Sequence, residues 1–126
     1  MPKTVHSPPS GPAALGPYSL ATEAHGFVFC SGMVPVEPKS GQPVEGGITQ
    51  QTHQVMQNIG AVLGDLDLGY DDIVKTSIFL ADIDDFGAVN EVYAEYVGDA
   101  KPARATVQAG ALPGGFLVEI ECIAAR

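Results

Sequence analysis

The sequence predicts an α+β fold in which strands and helices follow the order ββαβαββ, with both helices on one face of the sheet. Three observations predict it. Short runs rich in Val, Ile, Thr and Phe recur between Gly, Pro and Asp punctuation, as strands do. Two longer stretches switch to a spacing of three and four between apolar residues, as amphipathic helices do. Two helices are too few to cover both faces of a sheet this size, so they share one face. The length of 126 residues fits one domain.

The elements follow in order. Residues 1–15 open the chain as an irregular arm, because "HSPPSGPAALGPY" is dense in Pro and Gly. "SLATEA" and "FVFCSGMVPV" form a hairpin around His25-Gly26, and "EPKSGQPVEGG" is a polar loop. Val55, Met56, Ile59, Val62, Leu63 and Leu66 then recur at helical spacing, which predicts a helix over 49–66. Gly69 supplies the turn before "DIVKTSIFLA", a strand by composition. Phe86, Val89, Tyr93 and Tyr96 mark a second helix, opened by Asp84 or Asp85 and broken at Lys101-Pro102. "ARATVQAGAL", a "PGG" turn and "FLVEIECIAA" complete the chain as a second hairpin. In neither "TSIFLA" nor "LVEIECIAA" is one alternate set of residues uniformly polar. A second face of that kind marks a buried surface between subunits.

Composition narrows the function classes. Hydrophobic content of 45% against 17% charged is that of a globular chain. The formal charge is −9, and the six Lys and Arg are scattered, so phosphate neutralisation gives no footing for a nucleic-acid role. No leader and no membrane span is read from the sequence, which predicts a soluble cytoplasmic protein. Cys30 and Cys122 lie in apolar runs without zinc-ligand spacing and read as buried reduced thiols. His6, His25 and His53 are far apart and read as solvated imidazoles. The acidic run Asp82–Asp85 lacks the twelfth-position Glu of a calcium loop, and reads as the anionic start of a helix. GxSxG, HExxH, GxxxxGK[ST] and GxGxxG are all absent.

The chemistry is concentrated at the end of the chain. Glu119 and Glu121 are two apart, so they share one face of a strand, opposite Val118, Ile120 and Cys122. If the helices cover the apolar set, the glutamates face the oligomer side. They fit a polar edge, an intersubunit ion pair, or a carboxylate in a cleft beside Arg104 of the neighbouring hairpin strand. An arginine fork suits a substrate carboxylate, and a glutamate suits a water.

"GPYSLA", "FCSGMVPV", "DIVKTSIFLADIDDFGAVNEVY", "PARATV" and "LPGGFLVEIECIA" together resemble the RidA/YjgF family of small enamine/imine deaminases, in order and from Gly16 to Ala125. The resemblance implies a chorismate-mutase-like subunit spanning 1–126 and a homotrimer with a central barrel. One site would lie in each cleft between subunits. It implies that Arg104 clamps the carboxylate of a 2-imino acid and that Glu119 handles the attacking water. Tyr18, Ser31, Gly32 and Asn90 match positions that line the cleft, and Thr106 matches a contact that includes the backbone N–H. Each of Tyr18, Ser31 and Asn90 also fits a purely local role.

The implied substrates are enamines of the 2-aminoacrylate and 2-aminocrotonate type, hydrolysed as imines to 2-keto acids and ammonia. Neither metal nor cofactor is implied, and neither nucleic acid nor membrane is an implied partner. Two positions depart from the family pattern: Met33 stands where many members have Gln, and Thr106 where a common member has Cys. Both leave room for a larger, pathway-specific enamine. A non-catalytic metabolite-binding or chaperone-like trimer is the rival of another class, and ribonuclease activity is the least favoured. Glu121 fits either the site or a pair across the interface.

Overall fold

The structure, a computed structural model, describes residues 2–126. One six-stranded sheet contains β1 (Thr4–His6), β2 (Ala21–Ala24), β3 (Phe27–Met33), β4 (Ile73–Leu80), β5 (Ala103–Gln108) and β6 (Val118–Ala125). Two helices, α1 (Ile48–Asp65) and α2 (Phe86–Val97), cover one face. The strand order is β1-β2-β3-β6-β4-β5. Neighbours are antiparallel except β4 and β5, which run parallel. A parallel pair needs a crossover, and α2 supplies it.

The two helices form where the apolar spacing predicts them. Val55, Met56, Ile59, Val62 and Leu63 of α1 are all fully buried. The Gln50 side chain accepts the orphan N–H of Gly47 at the N-terminus (3.0 Å). Val89, Val92, Tyr93 and Val97 form the buried face of α2, which stops at Gly98 with φ 50°. The acidic run forms a short 3₁₀ turn, Ile83–Asp85, just before α2, and the Asp82 carboxylate accepts the Asp84 N–H (2.9 Å).

Three expectations change. The arm is not irregular throughout: Thr4–His6 pair with β2, which adds a strand before the predicted order. His6 is tied down there, with Nε2 2.9 Å from Glu23. His53 is half-buried, with Nδ1 2.8 Å from the Tyr96 hydroxyl, because α1 and α2 pack side by side. Most consequential, β5 and β6 are not a hairpin. The link from Gln108 to Val118 carries the chain past β4, and β6 inserts between β3 and β4. Energetics favour that exchange. β6 buries Val118, Ile120, Cys122 and Ala124 under the helices, whereas no residue of β5 is fully buried, as suits an edge strand.

The opposite face of the sheet carries no helix. Phe27 and Phe29 are each 44% exposed on it, beside Ile123 and Ala125 of β6.

Candidate active site

Alternation along β6 places Glu119 and Glu121 on the open face, with Ile120 between them pointing into the core. On β3 the ladder shifts between Cys30 and Met33. Ser31 and Gly32 together therefore oppose Glu121. Such a bulge re-aims the residues around it. Here it brings Gly32 directly against the Glu119 side chain, so that a methyl group at position 32 would collide with the carboxylate. The Ser31 hydroxyl donates to the Ser19 carbonyl (2.6 Å) and its N–H to the Leu20 carbonyl (2.9 Å). That fixes the segment carrying Tyr18, which is 50% exposed.

Tyr18, Ser31, Gly32, Glu119 and Glu121 line one cavity of about 740 Å³, with Phe116 after the Pro113-Gly114-Gly115 turn at its rim. Two side chains of α1 hold its walls. Buried Asn58 donates to the carbonyls of Val34 (3.0 Å) and Val36 (2.9 Å), and Gln51 accepts the N–H of Leu117 (2.8 Å). Burial raises the proton affinity of Glu119 above the ordinary carboxylate range, and the charge of Glu121 adds to it.

Arg104 lies elsewhere. Its register partner on β4 is Thr76, a buried residue whose hydroxyl is 2.7 Å from that of Tyr93 on α2. Arg104 therefore projects on the helix side. Its guanidinium carbon is 5.1 Å from the Tyr93 ring centroid and 5.3 Å from that of Phe86. Two rings hold the cation in place by cation–π attraction without using its hydrogen-bond donors. Among the described residues no carboxylate pairs with it. Asn90 and Arg104 share the wall of a second cleft of about 320 Å³.

The predicted residues thus fall into two groups on opposite faces of the sheet. Glu119 pairs in register with Phe79 and Arg104 with Thr76, and β4 runs between their two strands, about 10 Å of sheet. Within one chain they do not meet. Sequence reading took Phe86 and Tyr93 only as helix markers. Their i, i+7 spacing, which stacks them along one side of α2, was the signal for a paired ring clamp.

The two departures from the family pattern are also placed. Met33 is 1% exposed and pairs in register with Ile120, so its side chain packs in the core. Thr106 is half-buried on the helix side, and its hydroxyl oxygen is buried without a hydrogen-bond partner among the described residues. Leaving such a group unpaired costs about 1–3 kcal/mol.

One stability prediction follows from Glu119. Its folded form holds a proton more tightly than its unfolded form, so its contribution is favourable below the ordinary carboxylate range. That contribution is lost as pH rises through the raised value. Glu119→Gln, which does not titrate, is expected to raise the melting temperature at about pH 7. The gain should shrink toward about pH 3, below the ordinary carboxylate range, where the folded and unfolded forms are both largely protonated. Thermal unfolding at the two pH values checks it.

No cluster of three metal-ligating side chains occurs among the described residues, and no helix among them is long and apolar enough to cross a membrane. The family model described as "Endoribonuclease L-PSP" matches residues 9–126. The mouse protein named 2-iminobutanoate/2-iminopropanoate deaminase is 43% identical over 124 residues, covering 98% of this chain and 92% of that one. Reactive Intermediate Deaminase A, chloroplastic, of Arabidopsis thaliana is 47% identical over 122 residues, covering 97% of this chain and 65% of that one. Among solved structures, a putative endoribonuclease L-PSP from Entamoeba histolytica superimposes with a TM-score of 0.95 at 46% identity, covering 99% of this chain and 100% of that one. With the fold shared end to end and the motif blocks in place on it, the chain belongs to the L-PSP family, the RidA/YjgF family of its deaminase relatives.

Proposed function

We propose that this protein hydrolyses reactive 2-imino acids, and the enamines that tautomerise to them, to 2-keto acids and ammonia. The observation that carries the reading is the pair of complementary half-sites: an unneutralised guanidinium clamped by two rings, and a half-buried carboxylate in a cavity wall. A 2-imino acid has its carboxylate one bond from the carbon to be attacked. Arg104 and Glu119 of one chain cannot both reach so small a molecule across a sheet. The site is complete when the β5 edge of one subunit lies against the open face of the next, as in a homotrimer.

Arg104 of one subunit then holds the carboxylate bidentately, with Asn90 beside it. Glu119 of the next subunit, steered by the Gly32 contact, orients a water and takes its proton as the oxygen bonds to the imine carbon. The resulting carbinolamine receives that proton on nitrogen. As the C–N bond breaks, the hydroxyl proton passes through Glu119 to the departing nitrogen, and 2-keto acid and ammonia are released. Positioning supplies most of the acceleration, because the uncatalysed hydrolysis is already feasible. Tyr18 and Ser31 shape the cavity around the substrate side chain, while Thr106 sits two residues from the carboxylate clamp.

The family description names a ribonuclease, but the charge of −9 and scattered cations give RNA no electrostatic footing. The test is a coupled assay in which a threonine dehydratase generates 2-aminocrotonate in situ. The protein is expected to accelerate 2-ketobutyrate formation. No acceleration with any 2-aminoacrylate or 2-aminocrotonate source overturns the reading.

A further inference from the structure

Glu121 is left over by the mechanism, yet it is placed like a site residue. It lies two positions from Glu119 on the same face of β6, about 6–7 Å along the strand, and lines the same cavity. It sits opposite the Ser31-Gly32 bulge, where the ladder opens. Its partner on β4 is Ser77, whose hydroxyl accepts from Lys75 (3.3 Å). Among the described residues Glu121 makes no ion pair. We propose that Glu121 is a positioning residue for the deamination: its charge, fixed on the same cavity wall, makes Glu119 hold the proton taken from water until the departing nitrogen receives it. The inference rests on the proposed imine hydrolysis.

The physical case is that of two carboxylates in unequal surroundings. Glu121 is exposed and has Lys75 nearby on β4. Glu119 is the more buried of the two, and a second negative charge on this wall is opposed by burial and by the first. Environments that separate two carboxylates in this way divide acid and base roles between them. The groups facing the pair are few. Lys75 is the only cation on β4, and Tyr18 is the titratable group from the segment before β2. The bulge of β3 and the turn at 113–116 contribute no charged side chain. Within one chain nothing nearby neutralises Glu119 directly, so burial and Glu121 set its proton affinity there; in the assembled site the charge of the neighbouring subunit's Arg104 is answered by the substrate carboxylate it holds.

The test uses the full-length protein and compares wild type, Glu121→Gln and Glu121→Asp, with oligomeric state checked by light scattering. Two quantities are read: the pH profile of kcat/KM for 2-ketobutyrate formation, and the titration of the Glu119 side-chain carboxyl by ¹³C NMR. In Glu121→Gln both the acid limb and the carboxyl titration should move to lower pH. The kcat should fall by up to about tenfold with KM little changed, against about 10²-fold or more for loss of a general base. Glu121→Asp should restore most of the limb. A limb that stays put while wild type is active overturns the inference, whether or not the carboxyl titration moves. So does a fall in kcat with an unshifted profile, the result of a merely structural role. Absence of wild-type activity is a different failure: it removes the deaminase reading, and this inference falls with it.

Discussion

Mixing two inactive variants is expected to restore activity. In the proposed mechanism Arg104→Ala removes the carboxylate clamp and Glu119→Gln removes the water-handling carboxylate. Each should lower the rate enhancement by about 10²-fold or more. When the two chains are unfolded together and refolded at equal ratio, the proposed cyclic oligomer would draw the arginine of each site from one subunit and the glutamate from its neighbour. Half the subunits carry each intact residue, so about a quarter of sites receive both, and about a quarter of wild-type activity should return. The expectation rests on geometry within the chain. Arg104 is on the helix side over Phe86 and Tyr93, and Glu119 is on the open face behind β4. A mixture as dead as its components would mean that each site is built from one chain, and the split reading would fall. Arg104→Lys should recover little, since a point charge supplies neither the planar fork nor the ring stacking.

Ile120→Ala is expected to carry the largest cost in stability. Ile120 lies between the two glutamates but points the other way, fully buried, paired in register with Ile78 on β4 and with Met33 on β3. Both neighbours are themselves 1% exposed or less, so the surroundings have little room to collapse into the space left. Truncation should cost about 2–5 kcal/mol, against a total of about 5–15 for a domain of ordinary stability. Lys39→Ala, in the exposed loop before α1, should stay within about 0.5 kcal/mol. Urea denaturation at one fixed protein concentration checks both, and a loss below about 1 kcal/mol for Ile120→Ala would contradict this account of the core. Activity should fall as well, because the strand that loses its anchor is the one aiming Glu119 and Glu121.

The helices and the facing of β6 were legible in the sequence for the same reason. Val55, Met56, Ile59, Val62 and Leu63 declare one side of α1 within a few turns. Val118, Ile120 and Cys122 against Glu119 and Glu121 declare both sides of β6 within five residues. The histidines were less legible. His53 has a polar stretch of helix around it, and its Tyr96 partner lies across the packing of α1 on α2. The arm hid β1 because three residues among Pro and Gly have no period to read. The hairpin expected of β5 and β6 followed the short "PGG" turn, a local signal that the observed strand order overrides.

The sequence by itself determined the α+β class, the two helices, the one-sided cover and the face on which the two glutamates stand. It also determined which chemistry was on offer: an arginine and two carboxylates without a metal-ligand pattern or a basic footprint. Tertiary structure alone decided that β6 lies between β3 and β4, that Arg104 turns toward Phe86 and Tyr93, and that the Ser31-Gly32 bulge closes on Glu119. The physical reason is range. Periodicity and turn chemistry are settled among residues a few positions apart, whereas the choice of strand partner is settled by burial summed over the whole sheet. That choice put the arginine and the glutamate on opposite faces of one chain.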